Sequence, residues 1–82
     1  MNIKDIRIDA IANNNIVVHV GRDKALFSYG TLIATVEHPG KITLTTKWNH
    51  SPTTSKHRAK FLGEPTKDTQ KKLLEGEYKL WN

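Results

Sequence analysis

The stretch Trp48-Asn49-His50-Ser51-Pro52-Thr53-Thr54-Ser55-Lys56-His57-Arg58-Ala59-Lys60-Phe61-Leu62-Gly63 reads as a helix with both ends marked. Ser51 suits the N-cap, where its hydroxyl accepts from a backbone N–H that the first turn leaves free. Pro52 suits the first helical position, because the N–H it lacks would be unpaired there anyway. Gly63 suits the position just past the end, where a left-handed residue closes the last turn. The helix Pro52–Leu62 has only Ala59, Phe61 and Leu62 as apolar residues. Its C-terminal turn is therefore expected to anchor it, and its hydroxyl-rich first turn to face water.

Upstream of this helix the chain reads as sheet. Lys41–Trp48 alternates Ile42, Leu44, Thr46 and Trp48 with Lys41, Thr43, Thr45 and Lys47, which predicts a strand with one packed and one wet face. His38-Pro39-Gly40-Lys41 before it is a turn. Thr31–Glu37, Ala25–Tyr29 and Ile16–Val20 are three further strands, rich in β-branched and aromatic residues. Gly30 between two of them marks either a bulge or a tight turn. Asn13-Asn14-Asn15 is a turn signal, because Asn tolerates left-handed backbone. Residues 2–12 carry two patterns. Ile3, Ile6, Ala10 and Ile11 recur at helical spacing, whereas Ile6 and Ile8 alternate as in a strand, and the helical reading is preferred. Downstream, Thr66 suits the cap of a second helix, Lys67–Glu75, expected to bury Leu73, Leu74 and Gln70. Glu77–Trp81 alternates and can add an edge strand. The fold class expected is α+β: a small antiparallel meander of three to four strands, then two short C-terminal helices, with a short helix at the N-terminus. Residues 1–82 make one domain.

The chain has 82 residues and no cysteine, so neither disulfides nor thiolate metal sites supplement a modest core. No apolar run reaches the ~20 residues that cross a bilayer, and the N-terminus lacks a signal-peptide pattern. The expected setting is the cytoplasm, with no membrane partner. Net charge is +5, and its distribution matters more than its size. Residues 47–72 hold seven cations (Lys47, Lys56, Arg58, Lys60, Lys67, Lys71 and Lys72) against Glu64 and Asp68, which accounts for the whole excess. A one-sided positive field favours a polyanion or an acidic protein face.

Several motifs occur in a familiar order. Phe27-Ser28-Tyr29 is followed by Thr31, Ile33 and Ala34, then by Lys41-Ile42-Thr43-Leu44. Trp48, Ser51, Thr53-Thr54, Lys56 and Phe61-Leu62-Gly63 come next, and Gly76-Glu77-Tyr78 closes the series. The pattern resembles a group of small phage and prophage proteins that carry a domain of unknown function, over about residues 25–80. Gly30 stands where that pattern has Asn or Asp, and His50 where it has an aromatic residue. The resemblance implies a viral or mobile-element origin, a host-cell setting and an accessory role, and it brings no activity with it.

Two candidate sites follow from the residues. The first is an anion site at the start of the Pro52 helix, where free N–H groups and the helix dipole favour negative charge. Ser51, Thr53, Thr54 and Ser55 add hydroxyls there, and Lys56 and Arg58 add charge. The bland reading is that Ser51 and Thr54 only cap the helix. The second is a wider nucleic-acid surface in which Lys47, Lys56, Lys60, Lys67, Lys71 and Lys72 follow a phosphate backbone while Trp81 stacks on a base. Trp48 holds an apolar strand position and is assigned to the core. His19, His38, His50 and His57 lack a metal-ligand spacing, so no metal or other cofactor is expected. No paired carboxylates, nucleophile elbow or glycine-rich phosphate loop is present, so no enzyme is expected. The leading function is binding of nucleic acid or a nucleoprotein through residues 47–72. The alternative is a protein-directed inhibitor that clamps an acidic host protein. A third option is a homo-oligomer formed through an edge strand, either Lys41–Trp48 or the tail Glu77–Trp81.

Overall fold

The computed structural model describes residues 6–12, 14–49 and 51–81. Five strands follow one another: β1 (Ile6–Ala12), β2 (Asn15–Val20), β3 (Asp23–Ser28), β4 (Thr31–Glu37) and β5 (Lys41–Thr45). Helices α1 (Pro52–Leu62) and α2 (Thr66–Leu74) come next, and β6 (Lys79–Trp81) ends the chain. All six strands form one sheet in sequence order. Every pairing is antiparallel except β5 with β6, which is parallel because the two helices carry the chain back across the sheet.

The α+β class stands, and the expected three to four strands become six. The helix preferred at 2–12 is corrected where it is described. Residues 6–12 are β1, in register with β2 from Ile6↔Val20 to Ala12↔Asn15. The β-branched residues of β2 offer a ready partner, and the Ile6/Ile8 alternation outweighs the helical spacing. Residues 2–5 of that expectation, with Asn13 and His50, lie outside the described residues. Gly30 closes a two-residue hairpin turn: Tyr29 has φ 52° and Gly30 φ 76°. Two successive positive φ values match the right-handed twist of the strands they join.

Register fixes two faces. Val17, Leu26, Ala34 and Leu44 lie opposite one another across β2 to β5 and share the face under the helices. Leu26, Ala34 and Leu44 are fully buried, and Ile33, Val17 and Tyr78 complete the core. Leu26 pairs with Ala34 but Phe27 with Leu32, so Ile33 is an extra residue in β4. That bulge lets the neighbours Ile33 and Ala34 both be buried, where strict alternation would turn one outward. Ile42, Trp48, Phe61, Leu62 and Leu73 pack around this core, so Trp48 takes the expected structural place.

The strand expected over Lys41–Trp48 ends at Thr45. The Thr45 hydroxyl donates to the carbonyl of Leu32 at 2.6 Å, and the N–H of Trp48 returns to the carbonyl of Thr45 at 3.0 Å. A turn replaces the last residues of the alternation. With β6 beside it, β5 is an interior strand and leaves no free edge. The tail does form the edge strand β6.

Candidate nucleic-acid interface

The N-terminus of α1 is built from hydroxyls. Ser51 is extended at φ −152°, ψ 161°, and its Oγ accepts from the N–H of Thr54 at 3.2 Å. The same Oγ donates to Thr54 Oγ1 at 3.1 Å, and Thr54 Oγ1 also meets Ser28 Oγ of β3 at 3.1 Å. Thr54 and Ser28 are both buried. Ser55 donates to Asn49 Oδ1 at 2.8 Å. These three hydroxyls of the first turn thus have protein partners, and the Thr54–Ser28 contact ties the helix to the sheet, so the first turn expected to face water is corrected at Thr54. Thr53 is exposed. A cavity of about 290 Å³ adjoins this turn, lined by Ser28, Tyr29, Thr31, Lys47, Ser51 and Thr54.

The other end of α1 is closed by Gly63 at φ 73°, whose N–H donates to the carbonyl of Ala59 at 2.8 Å. A side chain there would resist the left-handed conformation, which is the reason for glycine.

Arg58 does not join a surface. It is fully buried, a correction to its place among the surface cations. Its guanidinium lies 5.0 Å from the Trp48 ring centre, a cation–π arrangement. Its Nη2 donates to Thr66 Oγ1 at 2.7 Å, while Nε and Nη1 have no hydrogen-bond partner among the described residues. Burial pushes the guanidinium below its ordinary pKa, and Glu64 pulls in the opposite direction. Thr66 therefore serves Arg58 rather than capping α2, whose N-cap is Pro65 without a side-chain bond.

In α2, Thr69 is fully buried while Leu74 is 82% exposed and Gln70 faces solvent, which corrects the expected burial of Leu74 and Gln70. Leu73 does pack against the core. Lys72 pairs with Glu64 at 3.0 Å, and Glu64 also accepts from the Tyr78 hydroxyl. The bonds to Glu64 and then to Tyr78 push Lys72 up to about 12. Desolvation, followed by the Glu64 bond, raises Tyr78.

Lys47, Lys56, Lys60, Lys67 and Lys71 are exposed, and none of the five is in an ion pair among the described residues. Lys56 and Lys60 stand four apart in α1, and Lys67 and Lys71 four apart in α2, so each pair shares one side of its helix. Trp81 is 62% exposed but stands elsewhere. It lies in register with Thr45, on the sheet face that the helices leave open. There it lines a cavity of about 280 Å³ with Thr31, Leu32, Thr45, Thr46 and Lys47. The structure thus brings Trp81 to Lys47 and separates it from the lysines of α1 and α2. Tyr29, the last residue of the strand expected over Ala25–Tyr29, is instead 65% exposed at the β3–β4 turn beside Lys47. Its position directly before Gly30 was the available signal, because the tip of a two-residue hairpin points its side chains outward.

Among the described residues no helix is long and apolar enough to cross a membrane. The sequence profile of a family described as a family of unknown function (DUF8033) matches residues 1–77. No curated protein and no solved structure matches the chain.

Proposed function

The chain belongs to this family of unknown function, DUF8033, and we propose that it is a non-enzymatic nucleic-acid-binding protein. In this reading it is an accessory protein of phage or mobile-element origin, working in the host cytoplasm on nucleic acid or a nucleoprotein. The reading rests on one observation: Lys56, Lys60, Lys67 and Lys71 are exposed on two successive helices with no carboxylate in ion-pair reach among the described residues. Such a surface loses little on meeting phosphates, because no internal ion pair has to be broken first. Lys47 extends it toward the N-terminus of α1, and Tyr29 or Trp81 beside Lys47 supplies a stacking surface for a base.

Each neutralised phosphate releases counterions, with a slope of about −0.9 in log affinity against log salt. Four lysine contacts give a slope of about −3.6, a loss of roughly 150-fold between ~50 and ~200 mM salt. A mobility or filter assay across that range is the test. Lys56→Glu with Lys60→Glu should abolish binding and leave the fold intact. Binding that ignores both salt and these substitutions would sink the proposal.

The second reading is an inhibitor of a host enzyme or defence system, acting through the same lysines on an acidic protein surface. Trp81 favours it, since an exposed tryptophan is a common anchor at protein interfaces. Capture from host lysate after nuclease treatment separates the two. A single host protein retained after nuclease supports the inhibitor, and loss of all capture supports nucleic acid.

A further inference from the structure

We propose that β1 is a self-association edge, through which two copies of the chain pair antiparallel about a two-fold axis at Ile8. Among the described residues β1 ends the strand order and pairs only with β2, so its far side presents backbone N–H and C=O groups that no described strand pairs. Natural edges are blunted by short length, charged side chains, proline or a bulge. The opposite edge follows that rule closely: β6 has three residues and begins with Lys79. β1 follows it only in part, through the oppositely charged Arg7 and Asp9 and an irregularity near its end between Ala10 and Ala12. It runs seven residues without lysine or proline and exposes Ile6, Ile8 and Ile11, with Ile8 64% accessible.

The occupant is identified by the sequence of the strand itself. Read antiparallel about Ile8, the segment Ile6-Arg7-Ile8-Asp9-Ala10 complements itself. Ile8 meets Ile8 of the second copy, Ile6 meets Ala10, and Arg7 meets Asp9 on both sides of the axis. Opposite charges directly across a strand pair stabilise it, and like charges destabilise it. The neighbouring symmetric registers put Arg7 against Arg7 or Asp9 against Asp9, so charge selects the one centred on Ile8. Arg7 and Asp9 contact each other at 3.3 Å within the chain, and Asp9 also meets His19 at 3.0 Å. Their side chains nevertheless remain 69% and 45% accessible, which leaves room for the second copy's groups. The irregularity in β1 falls between Ala10 and Ala12, outside the five paired residues. Ile6 and Ile8 lie in register with Val20 and Val18, so pairing joins two apolar strips into one across the open face.

Sedimentation velocity of the full chain over a concentration series tests this. The wild-type chain should show a monomer–dimer equilibrium, and Ile8→Lys should abolish the dimer. Arg7→Asp should weaken it roughly thirtyfold, by turning two attractive cross-strand pairs into two repulsive ones. Adding Asp9→Arg to Arg7→Asp should restore wild-type dimerisation, which a merely structural role for either residue would not do. A wild-type chain that is monomeric at every concentration overturns the proposal. So does a dimer indifferent to Ile8→Lys, or a charge exchange that fails to restore association. Circular dichroism checks each variant's fold. If Ile8→Lys unfolds the chain, the Arg7 and Asp9 variants, both at accessible positions, decide the question.

Discussion

The inward and outward sides of the helical layer are made of the same kinds of residue in opposite circumstances. Lys56 and Lys60 reach solvent with no ion-pair partner among the described residues. Between them Arg58 is fully buried against Trp48 and Thr66. The inward side is polar as well: Thr54, Arg58 and Thr69 are its buried residues, and Phe61, Leu62 and Leu73 are only partly covered. The layer is therefore seated by specific hydrogen bonds and three ring–cation contacts, Arg58 on Trp48, Lys24 of β3 on Phe61 and Lys72 on Tyr78, and the apolar burial is concentrated in the sheet and Tyr78. The sign of a charge does not tell which side it serves. What separates Arg58 from Lys56 is a planar guanidinium that can stack on a ring, beside an ammonium that holds its water.

Arg58→Ala should break that contrast most severely. It removes the Thr66 bond and the Trp48 stack and leaves a cavity, at a cost of about 3–5 kcal/mol. Arg58→Met fills most of the same volume and removes the two nitrogens that lack partners, so it should cost about 1 kcal/mol or less. Urea denaturation at constant slope compares the two. Equal losses in both would mean that the charge, and not the packing, is what the layer needs.

α1 is legible in the sequence because its signals are local. Ser51, Pro52 and Gly63 act within one turn of themselves, and all three hold their expected positions. Gly30 offered two readings, and the left-handed pair with Tyr29 selects the turn. What stayed hidden depends on distant partners. β1 is a strand because β2 lies beside it, and residues 2–12 alone carry both periods. Arg58 looked like Lys56 because nothing in the spacing of α1 announces that Trp48 lies beneath it. The separation of Trp81 from the helical lysines follows from the parallel pairing of β6 with β5, a consequence of the crossover that alternation cannot show.

Lys72 is the cation of α2 drawn toward the interior, and it sharpens the contrast through pH. Its hydrogen bonds with Glu64 and Tyr78 raise it from an ordinary 10.5 to about 12 in the folded chain. Desolvation and Glu64 raise Tyr78 above its ordinary 10.0. Both groups hold their protons more tightly when folded, so their contribution is complete below about pH 10. It is lost as pH climbs through the folded values, toward about 12 for Lys72. Tm measured between about pH 9 and 12 should fall across that window. Glu64→Gln, which removes the charge that both groups face, should flatten the fall. An unchanged slope in that variant would place the alkaline sensitivity elsewhere.

The smallest effect bears most directly on which side of the layer binds. Ser51→Ala removes the acceptor for the N–H of Thr54 and the donor to Thr54 Oγ1, while Ser28 still meets that threonine. Loss of an N-cap hydroxyl costs about 1 kcal/mol, readable as a modest drop in Tm. If the lysines on the outer sides of α1 and α2 carry the phosphates, affinity for nucleic acid should stay within about twofold of wild type, since surface contacts far from the change are additive. If instead a phosphate sits in the hydroxyl-lined cavity between Ser51 and Lys47, affinity should fall along with stability. Measuring both quantities on this one variant therefore separates a binding surface spread over the helices from a pocket at the end of one of them.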